Sequence, residues 1–151
     1  MQKRQSLWSN SRIHTFLLIA TLAVIVVPFL NKTPSLEVSK QSTEAATQFL
    51  SLVDREAYSE SWQSASDVLQ QLLALDEWNR KVAAMRKAHG AVVERVPQEV
   101  VYADPGADAP AGEYVIVTFD TIFRFRAVAT ETVTLHLNQD GEWQVAGYFL
   151  R

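Results

Sequence analysis

Glu131 is the residue whose neighbours in the sequence demand a partner for it. From Val128 to Asn138 it shares the alternating phase of Val133, Leu135 and Leu137, so a strand there points all four side chains one way. That side is apolar, and a carboxylate on it must be paired or lie at the rim of the core. Two guanidiniums are placed to reach it. Arg86 lies one turn after Val82, on the margin of a helical apolar stripe, and Arg95 lies on the first extended segment of the second half. Either can meet a carboxylate through two parallel hydrogen bonds. One outcome is a buried pair that positions helix on sheet. The other is a polar site that binds a small ligand. Trp62 and Trp78 fit a core better than a ligand platform.

Other chemistry finds little footing. The three histidines, His14, His89 and His136, form no pair with metal-ligand spacing. The sequence has no glycine-rich phosphate loop and no nucleophile elbow. Nothing in it implies a metal or a cofactor.

The elements that must hold these residues follow from periodicity. Ala45, Ala46, Phe49, Leu50 and Val53 form a stripe at helical spacing. Tyr58 to Ser64 is expected as a short second helix. Ser64 or Ser66 is a candidate cap for a third, carrying Val68, Leu69, Leu72 and Leu73. Asp76 is the expected cap of a fourth, with Leu75, Trp78, Val82, Met85 and His89 on one side and Gly90 as its stop.

The second half is extended. Ala91 to Tyr102 is one strand, interrupted at Pro97 and so expected at an edge or as a bulged strand. Tyr114 to Phe125 alternates most clearly, with Val115, Val117, Phe119, Thr121, Phe123 and Phe125 inward. The turn at 138–141 makes a hairpin into a last strand, with Trp143, Val145 and Phe149 inward and Gln144 and Tyr148 outward. The expected fold is α+β, with helices on one face of a four-stranded antiparallel curved sheet. Its other face bears Ile116, Asp120, Ile122 and Tyr148 among threonines. That face is either solvated or a surface for a partner or for self-association.

The location is written at the amino terminus. Residues 13–31 carry no charge, and Ile13 to Leu30 as helix rises about 27 Å, near the roughly 30 Å of a bilayer core. Lys3, Arg4 and Arg12 precede this run and no acid does. Three of the chain's 14 bases thus lie before it, so 11 bases face 17 acids after it, a net of −6. A basic tail, an apolar run and an acidic domain predict an uncleaved single span in a bacterial inner membrane, with the domain periplasmic. A signal peptide is the lesser reading, because the nearest small-x-small triplet, Thr33-Pro34-Ser35, has proline at its centre. A lipoprotein anchor is excluded by the lack of cysteine. The expected boundaries are 1–12 for a cytoplasmic tail, 13–31 for the anchor, 32–41 for a linker and 42–151 for the domain. The acidic balance disfavours nucleic acid.

The pattern resembles the NTF2-like (cystatin-like) domains and, more narrowly, the bacterial domain-of-unknown-function family four-zero-one-nine. The residues that carry the likeness are Asp54, Tyr58, Ser61 and Trp62, then Trp78, Arg86, Gly90 and Arg95. They continue with Gly112 to Tyr114, Phe119, Phe123 and Glu131 to Val133, and end in Gly141 to Val145 with Gly147 and Tyr148. The resemblance implies a cone-shaped fold over Ala45 to Arg151 and an export signal or anchor before it. It implies no activity. Other NTF2-like proteins use a carboxylate and a tyrosine for acid–base catalysis in the cone, which here would enlist Glu131 with Tyr58 or Tyr102. The expected role is non-enzymatic: an accessory or scaffolding subunit of a membrane assembly, or a module sensing a small ligand. The alternative is a small periplasmic enzyme using that carboxylate.

Overall fold

Ser35 starts the first helix. Its hydroxyl accepts from the Val38 N–H at 3.2 Å, and Glu37 stands in the first turn, where the helix dipole favours negative charge. Gln41 donates to Glu37 at 2.6 Å across one turn. Helix α1 therefore spans Leu36–Asp54, and the segment expected as a linker is helical from Leu36 on. The computed structural model describes residues 33–106 and 109–151. The expected anchor, 13–31, lies outside them. Among the described residues no helix is long and apolar enough to cross a membrane.

Three shorter helices follow: α2 (Tyr58–Gln63), α3 (Asp67–Leu72) and α4 (Leu75–His89). Ser66 holds the cap position of α3, but its hydroxyl makes no cap bond. Its N–H instead donates to the Val145 carbonyl at 2.9 Å, tying α3 to the last strand. The helix ends at Leu72, which is left exposed, while Leu73 continues in extended backbone and turns into the core. Ala74, not Asp76, holds the cap position of α4, and Asp76 sits in its first turn. At the other end Gly90 takes a φ of +80° that only glycine adopts easily, and its N–H closes the helix on the Arg86 carbonyl.

The strands are β1 (Val92–Ala103), β2 (Tyr114–Phe123), β3 (Arg126–Leu137) and β4 (Trp143–Leu150). They form one antiparallel meander in the order β1-β2-β3-β4. Val115, Val117, Phe119, Thr121 and Phe123 are buried as the alternation predicts. Phe125 is not: the strand ends at Phe123, the chain turns, and Phe125 is 69% exposed. β1 is an edge strand whose pairing is irregular beside Pro97, where the missing N–H removes a ladder bond.

The last strand departs from strict alternation. Thr134 pairs with Gly147 and Leu135 with Val145, so Ala146 is an extra residue. Before it, Trp143 and Val145 face inward as expected. After it the phase reverses. Tyr148 pairs with Val133 and Leu150 with Glu131, both on the core side, and Phe149 faces outward against Thr132. The outward Tyr148 and inward Phe149 of simple alternation are thus exchanged.

The helices cover the inner face. Ala46, Phe49, Leu50 and Val53 of α1 and Trp78 and Val82 of α4 join Val117, Phe119, Val133, Leu135 and Val145 in one core. Fully burying each large apolar side chain stabilises by about 1.5–3 kcal/mol. This layer holds the end of α1 and the last turn of α4 over the inner face of the sheet, where the charged residues meet.

Candidate functional site

Asp54 is the last residue of α1, Arg86 lies in the last turn of α4, and Arg95, Thr121, Glu131 and Tyr148 come one from each strand in turn. The fold brings these six side chains together. Glu131 is 0% exposed. Its Oε2 accepts from Arg95 Nε at 2.6 Å and from Thr121 Oγ1 at 2.6 Å. Its Oε1 accepts from the Tyr148 hydroxyl at 2.6 Å and from Arg95 Nη2 at 3.2 Å. Arg86 Nη1 stands 3.5 Å from the same oxygen. A carboxylate offers about four acceptor sites, and four hydrogen bonds fill them.

A second carboxylate completes the charge balance. Arg95 donates to Asp54 through Nη1 at 2.7 Å and Nη2 at 2.9 Å. Arg86 Nη2 donates to the same residue at 2.9 Å. Two guanidiniums therefore face two carboxylates. Asp54, its side chain 29% exposed, is the outer member. The Arg86 guanidinium also lies over the Phe123 ring, 4.8 Å from its centre, a geometry in which ring and cation attract.

The electrostatics follow from this packing. Burial pulls the Arg95 guanidinium down, but hydrogen bonds to Asp54 and Glu131, with their charges, outweigh it and hold the group above its ordinary value. Burial pushes the Tyr148 phenol well up, and the charge and hydrogen bond of Glu131 push it further. Both residues stay in the protonated forms that donate to Glu131. Tyr58 is also raised, by burial first and by Glu56 second, with Arg86 opposing.

The pair expected between Glu131 and Arg86 or Arg95 thus involves both arginines, with Arg95 making the short bonds. The remaining candidates lie elsewhere. Trp78 Nε1 donates to the Tyr58 carbonyl at 3.1 Å and to Ser61 Oγ at 3.0 Å, locking α4 to α2. Trp62 Nε1 donates to the Leu73 carbonyl at 2.8 Å. Both indoles are therefore satisfied inside the helix layer. Tyr58 and Tyr102 pack against the core, and the tyrosine on Glu131 is Tyr148. On the outer sheet face Ile116 is half-buried, while Asp120 and Ile122 are exposed. Tyr148 does not belong to that face. His89 Nδ1 bonds the Met85 carbonyl at 2.8 Å, and His136 lies against the Tyr114 ring, 4.7 Å between centres.

Asp54, Thr121 and Tyr148 are the members that a reading centred on Glu131 misses. Asp54 breaks the first apolar stripe and was visible only as a family position. Thr121 sits in the inward phase of β2, and a polar residue there is a signal in its own right. Tyr148 is hidden by the one-residue bulge.

This is an α+β domain whose helix layer is fastened to its sheet through a buried, charge-balanced cluster. Residues 45–148 match the family model described as protein of unknown function (DUF4019), and the chain belongs to that family. Its positions there include every member of the cluster. No curated protein matches the chain. Among solved structures it is similar to Aln2 from a Streptomyces species, determined at 1.8 Å, with 12% identity over 80% of this chain and 93% of that one and a TM-score of 0.50. At that identity the likeness is one of fold.

Proposed function

We propose that this chain is a non-enzymatic interaction module, held at the outer face of a bacterial inner membrane by residues 13–31. In this reading it serves as an accessory or scaffolding subunit of a membrane assembly. The observation that carries the non-enzymatic part is the saturation of Glu131. A general base must have a free lone pair within reach of a substrate proton. Glu131 is fully buried and all its acceptor sites are taken. The same filling argues against the small-ligand site and against the enzyme alternative with Tyr58 or Tyr102. The cone of an NTF2-like domain is supported by the order of helices followed by a four-stranded meander among the described residues.

The location rests on the uncharged run, the basic residues before it and the acidic domain after it. The full-length chain is expected in the membrane fraction after alkaline carbonate washing, with its domain cut by protease added to spheroplasts. On a native gel in mild detergent it is expected to migrate well above the size of one chain. Release by carbonate would remove the anchor, and migration as a single chain would remove the subunit role.

A further inference from the structure

The end of the sheet where β2 turns into β3 carries two complementary features side by side. The first is a finger. Arg124 and Phe125 form the turn, Arg126 opens β3, and all three are exposed. Its backbone is fastened to the end of α4: Arg124 N–H donates to the Ala91 carbonyl at 2.8 Å and Phe125 N–H to the His89 carbonyl at 3.0 Å. The Phe125 ring rests on Gly90, where a Cβ would stand 2.7 Å from it. The finger is thus held in place while presenting an aromatic ring to solvent. A rigid exposed ring is the kind of group that anchors contacts at little cost in ordering.

The second feature is a groove beside it on the outer face. Val96, Ile122 and Val128 give it an apolar lining, and Glu94 and Asp120 stand at its sides. Val128 is 62% exposed. Its volume is about 210 Å³, below the roughly 300 Å³ at which small-molecule pockets begin. It suits side chains of a protein better than a ligand. Among the described residues neither Glu94 nor Asp120 forms an ion pair.

We infer that this end of the outer face is an isologous contact between two copies of the chain, the Arg124-Phe125-Arg126 finger of each seated in the Glu94/Asp120 groove of the other. A two-fold contact needs one surface to carry both halves of the match. Here the finger supplies two cations and a ring, and the groove supplies two carboxylates and an apolar floor. Arginine stems cover apolar surface while their heads reach carboxylates. The lipid surface is a poorer occupant. The cluster holds the last residue of α1, and that helix enters the fold about 27 Å away along its axis. The finger starts only three residues beyond Thr121 of the cluster. The patch is small, so tethering both copies in one membrane raises their effective concentration and favours pairing there. The inference rests on the interaction-module reading and names one partner for it.

The test uses two differently tagged full-length chains, co-expressed and extracted in mild detergent, with recovery of the second tag through the first as the readout. Two variants reverse charge: Glu94→Lys with Asp120→Lys, and Arg124→Glu with Arg126→Glu. Each variant paired with itself is expected to lose about tenfold or more in recovery, since like charges then oppose each other at both contacts. The two variants paired together restore both contacts and should recover near the parental level. Phe125→Ser, which changes no charge, should lower recovery as well. Circular dichroism of each variant confirms that the fold is kept. Undiminished recovery for either reversed variant with itself, or no rescue in the mixed pair, overturns the two-fold contact. A parental chain that recovers no second copy, yet migrates in a large assembly, overturns the self-contact and leaves the accessory role standing. Migration as a single chain removes both.

Discussion

Replacing Glu131 by alanine tests the closed cluster most directly. The substitution leaves Arg95 with Asp54 alone and removes the carboxylate facing the buried Arg86 Nη1. It also strips the acceptor from the Thr121 and Tyr148 hydroxyls. Breaking a buried ion pair from one side costs about 3–5 kcal/mol. Each buried hydroxyl left unpaired adds about 1–3 kcal/mol where water cannot reach it. Asp54 still neutralises part of the surplus charge, and these terms overlap, so about 3–5 kcal/mol is the expected loss. For a domain of about 5–15 kcal/mol total stability that is a large fraction. At roughly 3–6 °C per kcal/mol for a domain of this size, Tm should fall by about 9–30 °C. Thermal and urea unfolding followed by far-ultraviolet circular dichroism give both numbers. Glu131→Gln, which keeps one acceptor, should fall between parent and alanine. Glu142→Ala, in the exposed hairpin turn, should stay within about 0.5 kcal/mol of the parent. A Glu131→Ala curve equal to or above the parent's would refute the structural role and return the residue to a binding or catalytic one.

Three further outcomes are expected. The Tyr148 phenol is raised in the folded state, so its contribution to stability is complete below pH 10, the ordinary phenol value, and is lost as pH climbs toward the folded one. Urea midpoints between about pH 9 and 11.5 should drop for the parent and drop less steeply for Tyr148→Phe; parallel slopes would exclude Tyr148 as the titrating group. Trp78→Phe keeps most of the packing but leaves Ser61 Oγ and the Tyr58 carbonyl without the indole N–H, and should cost about 1–3 kcal/mol by urea denaturation. Gly90→Ala forces a Cβ both into a φ of +80° and against the Phe125 ring, and should lower stability by about 1–3 kcal/mol, with a parental Tm as the contrary result.

The helices and the inner face of β2 and β3 were legible because their apolar residues repeat at about 3.6 and at about 2. Glu131 stood out for the same reason, as a charge in an apolar phase. Its two arginines could be named from their placement on elements that had to pack over it. Two things escaped. Asp54 joins through the end of a helix, where the period no longer says which way a side chain points. Tyr148 escaped because a bulge adds one residue without leaving a mark in composition: Ala146 reads as an ordinary strand residue, yet it reverses everything after it. Strand ends misled in the same way at Phe125, where alternation continues in the sequence after pairing has stopped. The cap at Ser35 was available to sequence reading, but polar residues through Gln41 resembled a linker because only one side of that helix is buried.

The cluster also bears on the order of folding events. Its ion pairs join residues far apart in the chain: 32 positions between Asp54 and Arg86, 41 between Asp54 and Arg95, and 36 between Arg95 and Glu131. None of them forms within a single helix or hairpin, and each closes a long loop whose entropy must be overcome first. Its charges therefore leave water only after helix layer and sheet have met. Substitutions of Asp54, Arg86 and Arg95 should act on the unfolding limb of a chevron plot and leave the folding limb nearly unchanged, with φ-values near zero. What the cluster sets is how long the native state persists once formed, a latch engaged last and released first. In the proposed location, away from the chaperone-rich cytoplasm, that lifetime would govern survival against proteases whenever cleavage outpaces reclosing.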